Sequence, residues 1–182
     1  MFARFTDCAV EVVNLAEREA GGLGSESVGA QHILLGLLGQ NSGLGGQTLS
    51  SLGFSFDGVR RRVPASNGVG EDDNADVASR GPFERHGRPL VSLKFTPRAR
   101  AVLERAVTEA LVLGSGSIGT EHILLGLSEQ HGSIAMRILD ELDAELPREE
   151  PHRPDRELGL ELRNAVIRAV TTSTEADHSI VD

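Results

Sequence analysis

Tryptophan and tyrosine are absent from this chain of 182 residues, and its six aromatic residues are all phenylalanine. Its core must therefore come from Leu, Val, Ile and Ala, which suits packed helices. Cysteine occurs once, as Cys8, so no intramolecular disulfide can form, and the chain fits a reducing cytoplasm. No apolar run approaches the ~20 residues needed to span a membrane. No basic region followed by an apolar stretch marks the N-terminus, so no secretion signal is expected. Positive charge is in deficit, with 18 Lys and Arg against 27 Asp and Glu and a net charge of −9. That balance argues against a nucleic-acid binder, which normally shows a basic excess. Lys94 is the only lysine. There is also no Gly-x-x-x-x-Gly-Lys-Ser/Thr loop to cradle a nucleotide phosphate.

What the chain does have is a duplication at a spacing of 90 residues. Val28-Gly29-Ala30-Gln31-His32-Ile33-Leu34-Leu35-Gly36-Leu37 matches Ile118-Gly119-Thr120-Glu121-His122-Ile123-Leu124-Leu125-Gly126-Leu127. Phe5-Thr6 matches Phe95-Thr96, and Leu23-Gly24 matches Leu113-Gly114, with no gap between these anchors. One helical unit has been duplicated, and function is expected on surfaces that occur in two related versions.

The first copy, residues 1–63, reads as four short helices. Thr6 caps a helix with Ala9, Val12, Val13, Ala16 and Ala20 on its inner face. Gly21, Gly22 and Gly24 end it. A second helix carries His32 to Leu38, a third runs from Gly43 to Leu52, and a fourth from Phe54 to Val63 turns Phe56 and Val59 inward. Residues 64–94 are a Gly-, Asp-, Asn- and Ser-rich linker expected to be mobile, whose end, Leu90 to Phe95, alternates as an extended segment would. The second copy, residues 95–146, begins with Thr96 as N-cap and Pro97 at the first helical position. Thr120 is expected to cap the next helix, with Glu121 in its first turn. The first copy has Ala30-Gln31 there and so loses both cap and charge. Ile134 to Leu142 matches Leu44 to Leu52.

Beyond Leu146 the copies diverge. Residues 147–170 combine Pro147, Pro151 and Pro154 with a late helix, Asp155 to Val170, whose Leu158, Leu162, Val166, Ile167 and Val170 form a stripe. That stripe is expected to pack on the second copy, with a partner protein as the alternative. Residues 171–182 read as a disordered tail. The second copy is also the more acidic, with four Lys and Arg against eight Asp and Glu in residues 95–146, compared with five against six in residues 1–63. Cationic partners suit it better.

His32 and His122 invite a metal reading, but Gln31-His32 and Glu121-His122 are not His-Glu-x-x-His and no third ligand accompanies them. Each reads as a helix-start residue hydrogen-bonded to a neighbouring loop. No spacing suggests a catalytic triad or a carboxylate pair, so no enzyme activity, no metal and no cofactor is expected. Arg60-Arg61-Arg62 reads as a solvated helix end at the favourable pole.

Met1-Phe2-Ala3-Arg4-Phe5-Thr6, the doubled Gly-x-x-His-Ile-Leu-Leu-Gly-Leu and Phe95-Thr96-Pro97-Arg98-Ala99 resemble the N-terminal Clp repeat domain of the Hsp100/Clp unfoldases, nearest the ClpC type. The resemblance covers about residues 1–146. It implies an all-α fold in which two four-helix repeats, about eight helices, are related by a pseudo-twofold axis, here followed by a C-terminal helix. It also implies a non-catalytic head that receives adaptors and degron peptides ahead of the ATPase rings. With no phosphate-binding loop in the sequence, this chain is expected to be that head without a motor, or a decoy for peptide ligands. ClpC-type members bind phosphorylated arginine once per repeat. Carried over by residue, this implies one site at Thr96 and Glu121, and a second at Thr6 and Gln31 that is weakened because Gln cannot neutralise a guanidinium. Phe2 and Phe95 resemble the surface that cyclic peptide antibiotics bind in actinobacterial members; the alternative for Phe95 is a core anchor. The alternative is a structural docking partner of the unfoldase, with no ligand in its repeats.

Overall fold

The computed structural model describes residues 4–63, 94–146 and 158–178. Phe2, residues 64–93 and residues 147–157 lie outside them, so the expectations for an exposed Phe2, a mobile linker and a proline-interrupted segment do too.

Repeat 1 consists of α1 (Asp7–Gly22), α2 (Ala30–Gly39), α3 (Leu44–Ser51) and α4 (Phe56–Arg62). Repeat 2 consists of α5 (Pro97–Val112), α6 (Thr120–Ser128), α7 (Ile134–Glu145) and α8 (Leu158–His178). Two short strands, β1 (Ser27–Val28) and β2 (Lys94–Phe95), complete the described elements. Helix α1 begins where Thr6 Oγ1 accepts the Ala9 N–H at 3.2 Å, and it buries the expected Ala9, Val12, Val13, Ala16 and Ala20. Thr96 does the same for α5 through Ala99, with Pro97 opening the helix. Gly24 and Gly114, at φ +72° and +67°, follow the ends of α1 and α5 in a backbone conformation that costs glycine little. Helix α4 starts two residues later than expected because Ser55, rather than the Phe54 region, supplies the cap, accepting the Gly58 N–H at 3.1 Å.

Helices α2 and α6 form the centre. Residues Ile33 to Leu38 of α2 and Ile123 to Ser128 of α6 are all buried, as expected of a helix surrounded on every side. Each lies across the first helix of its own repeat, and the glycine in the shared motif permits the approach. A Cβ on Gly36 would overlap the Val12 carbonyl, and one on Gly126 the Val102 carbonyl.

The repeats are joined by exchange. Helix α3 packs on α6 of the other repeat, and α2 packs on α7. Strand β1 pairs in parallel with β2, Val28 opposite Phe95, and Phe5 bridges Ile118 in the same sense. The opening of each repeat is therefore stitched to the middle of the other.

The late helix is the missing fourth helix of repeat 2. Helix α4 packs on α2 and α7, while α8 packs on the equivalent pair, α6 and α3. Leu158, Leu162 and Val166 are buried there, as expected of a stripe that packs on the second copy, while Ile167 and Val170 are half-buried. The helix begins at Leu158 rather than Asp155 and continues to His178, so residues 171–178, expected to be disordered, are helical.

Candidate functional site: two crossed corners between the repeats

The duplicated motif places four of the anticipated ligand residues at helix starts, but not in the expected pairs. The Thr6 N–H donates to the Ile118 carbonyl at 3.0 Å, and the Thr96 N–H donates to the Val28 carbonyl at 3.0 Å. Thr6 thus stands beside the segment that enters α6 and carries Glu121. Thr96 stands beside the segment that enters α2 and carries Gln31. The repeat-by-repeat pairing, Thr96 with Glu121 and Thr6 with Gln31, is replaced by a crossed one.

The two corners differ in access and charge. Thr96 is 5 % exposed, whereas Thr6 is half-buried. Glu121 retains 20 % of its side-chain exposure. Burial pushes its carboxyl up. Hydrogen bonding to His122 and to its own backbone N–H, with the His122 charge, outweighs this, so its pKa is lowered on balance. Gln31 curls over Gly29 as Glu121 curls over Gly119. One corner therefore carries a carboxylate at a helix N-terminus and the other a neutral amide.

His32 and His122 lie at the third position of α2 and α6. The N–H of the residue capping each helix donates to Nδ1, from Gly29 to His32 at 2.9 Å and from Gly119 to His122 at 2.9 Å. The other nitrogens lie 3.4 Å from Ser25 Oγ and 3.1 Å from Ser115 Oγ. This is the glutamate half of a capping box performed by histidine, with the neighbouring loop as second partner. Burial drives His32 down to about 4, opposed in part by the charge of Glu19. Among the described residues, no group of three or more His, Cys, Asp and Glu gathers where a metal ion could be held.

Two anticipated roles change. Phe95 is 6 % exposed and belongs to the core beside Val28, because its strand pairs with β1; it offers no surface to a peptide. Thr120 does not cap its own helix, since Gly119 holds that position. Its Oγ1 instead accepts the Gly45 N–H at 2.9 Å, in the first turn of α3 in the other repeat. Helix α3 has Gly43 as its N-cap and no side-chain cap of its own, whereas its counterpart α7 is capped by Ser133. The hydroxyl that repeat 1 lacks at Ala30 is thus present in repeat 2, where the uncapped helix needs it.

Sequence reading also missed an ion-pair cluster. Glu109, 1 % exposed, lies 3.2 Å from Arg105 and 3.0 Å from Arg163 of α8. Arg105 also donates to Glu129 at 2.7 Å, and Arg163 lies 3.5 Å from Glu129. The available signal was Glu19, which sits 90 residues before Glu109 and pairs with Arg60 at 2.8 Å.

Comparison with known proteins decides the family. The profile of the Clp repeat (R) N-terminal domain matches residues 4–142 and again residues 94–182. This chain belongs to the Clp repeat N-terminal domain family. It is 38 % identical over 176 residues to the chloroplastic chaperone protein ClpC1 of Oryza sativa subsp. japonica, covering 97 % of this chain and 16 % of that protein. It is 35 % identical over 175 residues to the ClpA homolog of Cyanidium caldarium, an ATP-binding subunit of ATP-dependent Clp protease, covering 96 % of this chain and 17 % of that one. The chain thus spans about a sixth of the length of these relatives. In structure it is similar to the N-terminal domain of ClpD from Arabidopsis thaliana, with a TM-score of 0.65 at 24 % identity, covering 94 % of this chain and 97 % of that one. The Hsp104 N-terminal domain from Candida albicans follows the same fold, with a TM-score of 0.57 at 17 % identity and coverage of 90 % and 89 %. The chain is therefore an all-α Clp repeat domain of ClpC/ClpA type. Among its described residues no helix is long and apolar enough to cross a membrane.

Proposed function

We propose that this Clp repeat domain is a non-catalytic binding module that takes up degron peptides or adaptors for a Clp unfoldase in the cytoplasm, and that a phosphorylated arginine docks at the corner of Thr6 and Glu121. Glu121 is the observation that supports this reading. A guanidinium requires a carboxylate, and the attached phosphoryl group requires hydroxyl and N–H donors, best supplied at a helix start. Thr6 Oγ1 accepts the Ala9 N–H and keeps its own proton to donate. The opposite corner has a neutral Gln31 and a buried Thr96, so it is the weaker of the two.

Calorimetric titration with free phosphoarginine tests the reading. One site is expected in the wild type, lost in Glu121→Ala and weakened in Thr6→Ala but not in Thr96→Ser. Gln31→Glu is expected to gain a second site. Absence of binding in every variant would refute the reading. The alternative, a ligand-free docking partner acting through residues 155–170, is less well supported, because Leu158, Leu162 and Val166 are already covered by α3 and α6.

A further inference from the structure

The corner of Thr6 and Glu121 suits a guanidinium better than it suits a phosphoryl group. Among the described residues no arginine or lysine pairs with Glu121, so its carboxylate is open to a cation. Asp7 follows Thr6 in the first turn of α1 and adds a second carboxylate. A phosphoryl group carries about two negative charges near neutral pH, and both carboxylates repel it. With a hydroxyl and backbone N–H groups alone, the corner would hold plain arginine better than phosphoarginine. A cation at the rim reverses that preference.

Arg4 stands at this rim. The Ile118 N–H donates to the Arg4 carbonyl at 2.7 Å, and the Thr6 N–H donates to the Ile118 carbonyl at 3.0 Å. Ile118, three residues before Glu121, is thus clasped between Arg4 and Thr6. Phe5 between them is buried, whereas Arg4 is exposed and Thr6 half-buried. The Arg4 guanidinium reaches the loop that enters α6, where Nη2 donates to the Ser115 carbonyl at 3.5 Å. A bond of that length in solvent holds it loosely. Ser115 Oγ lies 3.1 Å from His122 Nε2, and the other ring nitrogen lies 3.0 Å from Glu121 Oε1. A short chain of contacts therefore runs from Arg4 to Glu121. No carboxylate among the described residues holds Arg4, in contrast to the arginines elsewhere that are locked in ion pairs. Arg18 is held by Glu11, Arg60 by Glu19, Arg62 by Glu141 and Glu145, and Arg105 and Arg163 by Glu109 and Glu129. The second repeat repeats the placement. Lys94, 90 residues after Arg4, is exposed and precedes Thr96 by two residues, with the buried Phe95 between them.

We propose that Arg4 is the specificity-determining residue of the Thr6 and Glu121 corner: its guanidinium leaves the Ser115 carbonyl for the phosphoryl oxygens and so selects phosphoarginine over arginine. This rests on the phosphoarginine reading of that corner. Calorimetric titration of the full chain with phosphoarginine and, separately, with arginine tests it. The wild type is expected to prefer phosphoarginine. Arg4→Gln is expected to lower phosphoarginine affinity about tenfold, the worth of one hydrogen bond to a charged group, while arginine affinity stays level or rises. Arg4→Lys, which keeps the charge, should recover most of the loss. Unchanged phosphoarginine affinity in Arg4→Gln would overturn the proposal. So would equal losses for both ligands, which would make Arg4 only a support of the corner's shape, and so would a wild type that binds arginine as tightly as phosphoarginine. A wild type that binds neither ligand would overturn the phosphoarginine reading itself, and the role of Arg4 with it.

Discussion

Arg163 Nη1 lies 3.0 Å from Glu109 Oε2, and this contact repeats the one between Arg60 and Glu19 in the other half of the molecule. In each repeat the fourth helix is pinned to the first by an arginine on a glutamate. The glutamates fall at the 90-residue spacing; the arginines do not, because the chain between α7 and α8 is longer than that between α3 and α4. The equivalence of α4 and α8 is thus marked by chemistry as well as by packing.

Because Glu109 is 1 % exposed, its partners matter more than those of an exposed carboxylate. Arg163→Met should destabilise the protein by about 1–3 kcal/mol, since Arg105 remains to share the buried charge. Arg60→Met, on a pair with the arginine 45 % exposed, should change stability little. Urea unfolding of both variants checks the contrast; equal losses would contradict it.

Thr120→Ala should leave the Gly45 N–H of α3 without its acceptor, at a cost of about 1–3 kcal/mol, while Thr120→Ser should recover most of it. Amide hydrogen exchange locates the effect. Faster exchange is expected at Gly45 in repeat 1, although the substitution lies in repeat 2.

Gly36→Ala and Gly126→Ala place a methyl group against a backbone carbonyl, which cannot rotate aside as a side chain can. Alanine would gain about 1 kcal/mol of helix propensity, but overpacking at this crossing should cost about 3 kcal/mol. A net fall in melting temperature by circular dichroism is expected for both; a rise in either would mean that the helices can separate freely.

His32 makes stability depend on pH. Its folded-state value of about 4 lies below the ordinary 6.5, so between these values the unfolded chain binds more protons than the folded one. Its contribution is present above about pH 6.5 and is lost as the pH falls toward 4, reaching about 3 kcal/mol. Unfolding free energies at several pH values across this window should fall with acidity in the wild type, and less steeply in His32→Gln.

The inward faces of α1 and α5, their threonine caps and the apolar centres of α2 and α6 were legible because periodicity and capping are local properties of sequence. The loop partners of His32 and His122 followed from their place at a helix start. Thr120 was read as a local cap because threonine beside a helix start usually serves that helix; its true acceptor role depends on an interface 75 residues away in sequence. The placement of Thr6 beside the segment that carries Glu121 was not legible, for the same reason. A repeat pattern shows which residues are equivalent, but not which copy each one faces. For Phe95 the sequence leaves a ligand surface and a core anchor both open, because a strand of two residues carries no alternation to show which side is buried; the structure makes it the anchor.

The short parallel ladders carry one more consequence. Since Phe5 binds at Ile118 and Val28 binds at Phe95, neither half owns a complete boundary. The duplication is not two beads on a string but a symmetric dimer whose subunits have been fused end to end. A fragment holding residues 1–63 alone would expose the face of α2 meant for α7 and the edge meant for β2. Its natural remedy is to find a second copy of itself and rebuild by association the twofold body that the full chain encodes in one polypeptide.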